Sequence, residues 1–305
     1  MERIWLKQYP AGVPADIDVT QYASLVELLE ESFAKFRDRK AFICMDKSIS
    51  YRDLDEMSAA LAAYLQSKGL QKGARVALMM PNVLQYPIST AAVLRAGYAV
   101  VNVNPLYTPR ELEHQLKDSG AEVAIVLENF ATTVQKVIGN TAVKHVIVGS
   151  MGDLLGLKGM IVNLVVRRVK KMVPAYSIQG AVLFNDAVTT GRAMKLNKPK
   201  IAPDDVAFLQ YTGGTTGVSK GATLLHRNIL ANVLQNDTWL QPALKKPTDV
   251  DPLFMVCALP LYHLLALTAC CRMEWRDGGT NKLFSNPGEL SGCVQEVASD
   301  RGNRV

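Results

Sequence analysis

Four short apolar runs constrain this fold most: RVALMM (75–80), AVVNVNP (99–105), EVAIVL (122–127) and HVIVGS (145–150). Each is rich in β-branched residues and none alternates apolar with polar, the pattern of parallel strands covered on both faces. Helical apolar spacing marks the stretches around them, among them 24–36 (SLVELLEESFAKF) and 53–69 (DLDEMSAALAAYLQSKG). One helix carries its own boundaries. Thr108 can cap it, Pro109 suits its first position, Glu111 closes a capping box and Gly120 stops it. This strand–helix alternation predicts an α/β fold with a doubly wound sheet. From Gly180 to Pro203 the pattern weakens, and 189–205 (TTGRAMKLNKPKIAPDD) reads as a polar connection before the next strand, DVAFLQY. A boundary is expected there, dividing an α/β subdomain (1–200) from a partial second subdomain (201–305).

Composition excludes several classes. A chain of 305 residues with 49% hydrophobic and 20% charged residues is not compositionally disordered. Cys44, Cys257, Cys270, Cys271 and Cys293 show neither metal-ligand spacing nor a disulfide framework, which favours a reducing compartment. The start, MERIWLKQYPAG, lacks the apolar centre of a signal peptide, and no run of 18 or more apolar residues occurs. A cytoplasmic protein is expected. The net charge of +6 is spread widely and no helix-turn-helix, finger or RNP pattern accompanies it, so nucleic acid is not an expected partner. Nucleotides and lipid headgroups fit that charge.

The chemistry concentrates in LQYTGGTTGVSKGATLLHRN (209–228). Glycines let backbone amides turn inward around phosphate oxygens, hydroxyls add donors and a lysine neutralises charge, together the logic of an anion nest. The loop is not a Walker A sequence, because Lys220 follows Ser219 and precedes Gly221, and no GxGxxG is present. ATLLH reads as a strand and RNILANVLQ as a helix, so the loop is expected to join two strands. On composition alone, a Gly/Thr hairpin without a ligand competes with the nest.

The order of residues goes further. YTGGTTGVSKG resembles the phosphate-binding signature of the adenylate-forming (AMP-binding) superfamily, in the Gly-Gly form of the bacterial long-chain fatty acid–CoA ligases. The resemblance extends through WLKQYPAGVP (5–14), PNVLQYP (81–87), VNVNPLYTPRELEHQLKDSGA (101–121), KKMVPAYS (170–177) and LPLYH (259–263). It implies a two-step reaction on a long-chain fatty acid. The carboxylate attacks the α-phosphorus of MgATP to give an acyl-adenylate and pyrophosphate, and the thiol of coenzyme A then displaces AMP. By this resemblance Tyr211, Thr212, Gly213, Gly214, Thr215, Thr216, Gly217, Ser219, Lys220 and Gly221 hold the β and γ phosphates. Lys220 is the mobile cation, Thr216 the contact for Mg2+, and His263 a second catalytic residue beside the acyl and adenylate site. The residues around His263 fit equally a histidine packed between two apolar runs.

Two departures qualify the resemblance. Leu225 stands before His226 where the family has Ser or Thr, and CRMEWRDGG (271–279) replaces an apolar strand before the partial likeness in 281–296 (NKLFSNPGELSGCVQE). About half of a family member is missing, with its adenine, ribose and metal motifs, its hinge and its small C-terminal domain. The alternative expectation is a non-catalytic nucleotide-binding remnant, truncated by gene disruption. A kinase or P-loop NTPase fails on the order of the lysine loop and the lack of a Walker B strand.

One further segment stands apart from the family. In MIVNLVVRRVKKMV (160–173), helical spacing gathers Ile161, Val162, Val165, Val166, Val169, Met172 and Val173 on one face and Arg167, Arg168, Lys170 and Lys171 on the other. Such a helix suits either an anionic inner-membrane surface, making the protein peripheral there, or plain packing of its valines on the core. The oligomeric state is not legible.

Overall fold

Apolar runs without alternation need cover on both sides, and the chain supplies it by winding helices onto each face of one sheet. The computed structural model describes residues 3–212, 219–240, 242, 254–263 and 278–284. After α1 (Leu25–Lys35) come β1 (Lys40–Cys44), β2 (Lys47–Ser50) and α2 (Tyr51–Gln66). The four runs follow as β3 (Arg75–Met79), β4 (Ala99–Asn102), β5 (Val123–Leu127) and β6 (His145–Gly149). Between them lie α3 (Gln85–Arg95), α4 (Pro109–Ser119) and α5 (Ala131–Val137). The remaining elements are α6 (Leu157–Leu164), β7 (Val182–Leu183), α7 (Phe184–Arg192), β8 (Val206–Thr212), β9 (Lys220–Leu225), α8 (His226–Leu240), β10 (Phe254–Cys257) and β11 (Thr280–Leu283).

The large sheet has the order β7-β6-β5-β3-β4-β8-β9, parallel except for the final β8–β9 pair. Side chains alternate between two cores along each strand. Val76, Leu78, Val123 and Ile125 meet α2 and α3, while Ala77, Met79, Ala124 and Val126 meet Leu112 and Leu116 of α4 and Val134 of α5. Burying a side chain such as Phe184 or Phe208 completely contributes about 1.5–3 kcal/mol. A second sheet, β10-β11-β1-β2, pairs β11 in parallel with both β10 and β1, so residues beyond 250 join the first strand of the chain.

Local chemistry places α4 as expected. Thr108 accepts from the Glu111 amide, the Glu111 carboxylate accepts from the Thr108 amide at 2.8 Å, and Gly120 ends the helix at φ 61°. The loop after β8 does join two strands, because β9 returns antiparallel to it. The weak region after Gly180 holds more than a connection. Phe184, Ala187, Val188 and Gly191 form the buried stripe of α7, which packs on α2; small residues in that stripe hide its helical signal. The irregular connection follows α7, and the strands before and after residue 200 lie in one sheet.

The apolar face expected for 160–173 is corrected. Val162 and Val166 turn toward the core, but Ile161, Val169 and Met172 are exposed. The helix is interrupted by a π-helical turn at Val165–Val169, which breaks the spacing on which that face was drawn.

Candidate functional site

β4 ends on a buried amide side chain, Asn102, and the apolar run of β8 gives way to another, Gln210, two residues before that strand ends. A buried amide is costly unless bonded, and these bond to each other. Asn102 Nδ2 donates to Gln210 Oε1 at 2.9 Å, the Tyr86 hydroxyl donates to Asn102 Oδ1 at 2.6 Å, and Gln115 Nε2 donates to the Asn102 carbonyl at 2.8 Å. The chain of bonds then leaves the sheet. Gln210 Nε2 donates to the carbonyl of Tyr262 at 3.1 Å.

The LPLYH segment is held a second time by Asn82, which lies just beyond β3. Asn82 Nδ2 donates to the carbonyls of Cys257 and Leu259, and its Oδ1 accepts from the Leu261 amide at 2.7 Å. The segment turns through a bond from the His263 amide to the Pro260 carbonyl at 2.9 Å. Two buried amides, one just beyond β3 and one in β8, therefore set where His263 stands.

Above this floor opens a cavity of about 820 Å³, lined by Asn102, Tyr107, Thr212, Leu224, Asn232 and His263 among others. It lies outside the carboxyl ends of parallel strands, where open α/β sheets bind ligands. Its lining mixes apolar side chains with a few amides and hydroxyls, as small-molecule sites do. Burial and the nearby Glu111 raise the Tyr107 phenol, and burial raises that of Tyr262, so both keep their protons near neutrality.

The two ends of the lysine loop are anchored at the cavity. Thr212 pairs with Lys220 and Tyr211 with Gly221. His114 Nε2 of α4 donates to the Ser219 carbonyl at 3.0 Å. The Tyr211 hydroxyl donates to Asp118 at 2.5 Å; burial first, and then the bond and charge of Asp118, push the phenol well above its usual range. Lys220 is exposed. Of the residues expected in the site, Tyr211, Thr212 and His263 line the cavity, and Ser219, Lys220 and Gly221 form the returning end of the loop. Gly213, Gly214, Thr215, Thr216 and Gly217 lie outside the described residues.

Leu225 and His226 stand elsewhere. β9 carries them to the opposite edge of the sheet, where His226 Nδ1 accepts from the Leu25 amide at 3.3 Å, so the departure at Leu225 does not touch the cavity. Sequence reasoning missed Asn82, Asn102 and Gln210. A polar side chain at or just beyond the end of each apolar run was the available signal.

Comparison with known proteins accords with this geometry. Residues 29–298 match the family described as AMP-binding enzyme. The chain is 51% identical over 300 residues to a long-chain-fatty-acid–CoA ligase of Escherichia coli, covering 98% of this chain and 53% of that protein. It is 47% identical over 303 residues to the long-chain-fatty-acid–CoA ligase of Haemophilus influenzae, covering 99% of this chain and 54% of that one. The chain thus spans about half the length of the curated relatives it matches. Among solved structures, a long-chain-fatty-acid-CoA ligase from Archaeoglobus fulgidus superposes with a TM-score of 0.72 at 24% identity, over 95% of this chain and 53% of that one. An anthranilate CoA ligase in complex with anthranoyl-AMP gives the same TM-score at 18% identity, over 91% and 48%. Because the signature loop joins β8 to β9 beside the cavity and the match runs through both sheets, the chain belongs to the AMP-binding enzyme family.

Proposed function

We propose that this chain takes part in ATP-dependent activation of a long-chain fatty acid to its coenzyme A thioester through an acyl-adenylate. The observation that carries this reading is the meeting of Thr212, at the mouth of the lysine loop, with His263 across one cavity whose wall also holds Leu224 and Ile229. A nucleotide's phosphates suit the first side, and an acyl chain suits the apolar wall.

In the first step a carboxylate oxygen bonds to the α-phosphorus and pyrophosphate leaves. In the second the thiol sulfur of coenzyme A bonds to the acyl carbon and AMP leaves. The first step brings an anion to a polyanion, so positioning and neutralisation of charge must supply most of the acceleration. Lys220, paired with Thr212 at the mouth of the loop, neutralises phosphate charge, and Thr212 donates its hydroxyl. The Gln210 and Asn82 bonds hold the backbone at Tyr262 and Leu261, next to His263, and we assign His263 to the acyl side.

Among the described residues no cluster of His, Cys, Asp or Glu could cage a metal ion. A Mg2+ ion arriving with the nucleotide would neutralise phosphate charge, and a hydroxyl would serve as its protein contact. We assign that contact to Thr216. No described helix is long and apolar enough to cross a membrane, and we place the protein in the cytoplasm, peripheral on the inner membrane.

The test is oleate-dependent ATP–pyrophosphate exchange by the protein carrying this chain, beside MgATP binding to the chain and to Lys220→Ala. Exchange and a loss of binding of about tenfold or more, one charge-assisted contact, are expected. Equal MgATP affinity in both chains would remove the loop from the site. Binding without exchange would favour the nucleotide-binding remnant.

A further inference from the structure

Between Leu154 and Asn185 the sequence contains no aspartate or glutamate, yet it holds Lys158, Arg167, Arg168, Lys170 and Lys171. The helical part of this basic stretch is α6 and the π-helical turn that continues it. In an unbroken α-helix Val162, Val166 and Val169 would share one stripe, at spacings of four and seven. The turn instead closes with the Lys170 amide on the Val165 carbonyl at 2.8 Å, five residues back. That wider turn swings Val169 out of the buried stripe and round toward the side of Leu164.

The two faces are therefore both apolar. Gly159, Val162 and Val166 face the core, whereas Leu157, Met160, Ile161, Leu164 and Val169 are each at least 60% exposed. Contiguous exposed side chains of this size mark an interaction surface. Beside them Arg168, Lys170 and Lys171 are exposed and make no ion pair among the described residues. Arg167 is differently employed. Its guanidinium grips the buried Glu128 carboxylate at 2.8–3.0 Å and the Ser150 hydroxyl at 2.8 Å, tying the turn to the carboxyl ends of β5 and β6. The cavity opens at that same edge, from β4 and β8, and β6 is three strand spacings or about 14 Å from β4.

We propose that this face docks on an anionic phospholipid surface, with its apolar stripe in the headgroup–acyl boundary and Arg168, Lys170 and Lys171 against lipid phosphates. Charge complementarity favours an anionic lipid surface: every charged side chain of the stretch is basic, and the exposed Leu157, Met160, Ile161 and Leu164 share one side of α6 at spacings of three, four and seven, apolar side chains beside basic ones as a bilayer boundary requires. Docking there would turn the edge that bears the cavity toward the source of a membrane-dissolved acyl chain. The surface deepens the membrane placement given above and rests on it, but its test reads lipid binding and not activity.

The experiment is co-sedimentation of the whole chain with vesicles of phosphatidylcholine alone and of phosphatidylcholine with phosphatidylglycerol. Retention is expected on the second and not the first, weakened by added salt. Replacing Arg168, Lys170 and Lys171 together by glutamine should lower the partition on the order of a hundredfold. The combined variant Met160→Gln, Leu164→Gln, Val169→Gln should lower it by about tenfold or more. Leu106→Gln, an equally exposed apolar residue elsewhere, should leave it unchanged, as should Lys220→Ala. Circular dichroism verifies that each variant is folded. Equal retention on neutral vesicles, wild-type retention in either combined variant, or an equal loss in Leu106→Gln would overturn the docking surface. Loss of nucleotide binding in Lys220→Ala with vesicle binding intact would separate the two sites.

Discussion

Gly221 lies directly across the β8–β9 pair from Tyr211, and a β-carbon on it would stand 2.8 Å from the phenol ring. The ring cannot easily give way, since its hydroxyl is bonded to Asp118 and the residue is buried. Gly221→Ala should therefore cost about 1–3 kcal/mol, the usual range for overpacking. Urea denaturation checks this. An unchanged midpoint would show that the ring is free to move.

The same phenol gives a pH prediction. Burial and the Asp118 carboxylate both disfavour the phenolate, so the folded-state pKa lies above the unfolded value of about 10. The folded state then holds more protons than the unfolded one above that pH. The stability from this group is complete below pH of about 10 and is lost as pH rises from there through the folded value. Tyr211→Phe should show a shallower fall in stability over that alkaline range, measured by denaturation at a series of pH values. Parallel curves for the two proteins would contradict it.

Asn82 makes three bonds to a segment more than 170 residues away in sequence. Asn82→Ala leaves the Leu261 amide and two carbonyls without it, a loss of about 1–3 kcal/mol for each group that stays buried and unpaired. Hydrogen exchange at the Leu261 amide should accelerate before global unfolding, because the segment loosens locally. Unaltered protection there would mean that Asn82 does not position His263.

Gln210→Ala tests the other tether. It leaves Asn102 Nδ2 without its acceptor inside the sheet, and a cost of about 1–3 kcal/mol is expected. Gln210→Glu restores the acceptor to Asn102 but loses the donor to Tyr262. A urea midpoint nearer wild type for Glu than for Ala would show that the Asn102 bond outweighs the cost of burying a carboxylate; the reverse order would show that this cost is the larger, and a wild-type midpoint for Ala would show that the tether contributes nothing.

Features that depend on near neighbours were legible along the chain. The limits of α4 follow from Thr108, Glu111 and Gly120, which act over one turn or less. The coverage of β3 to β6 on both faces follows from runs that leave no polar face to solvent. The loop signature and LPLYH were legible as motifs, and the return of β9 followed from the apolar run after Lys220. Which residues meet across the fold was not legible. Asn102 and Gln210 are 108 positions apart and read singly as polar residues late in their strands; only the parallel pairing of β4 with β8 makes each the other's partner. The π-helical turn was equally hidden, because it coincides with a long-range bond, the grip of Arg167 on Glu128, that no local spacing encodes. Helix caps and strand burial are local free energies summed along the chain, whereas a buried amide or carboxylate is stable only where distant backbone brings it a partner.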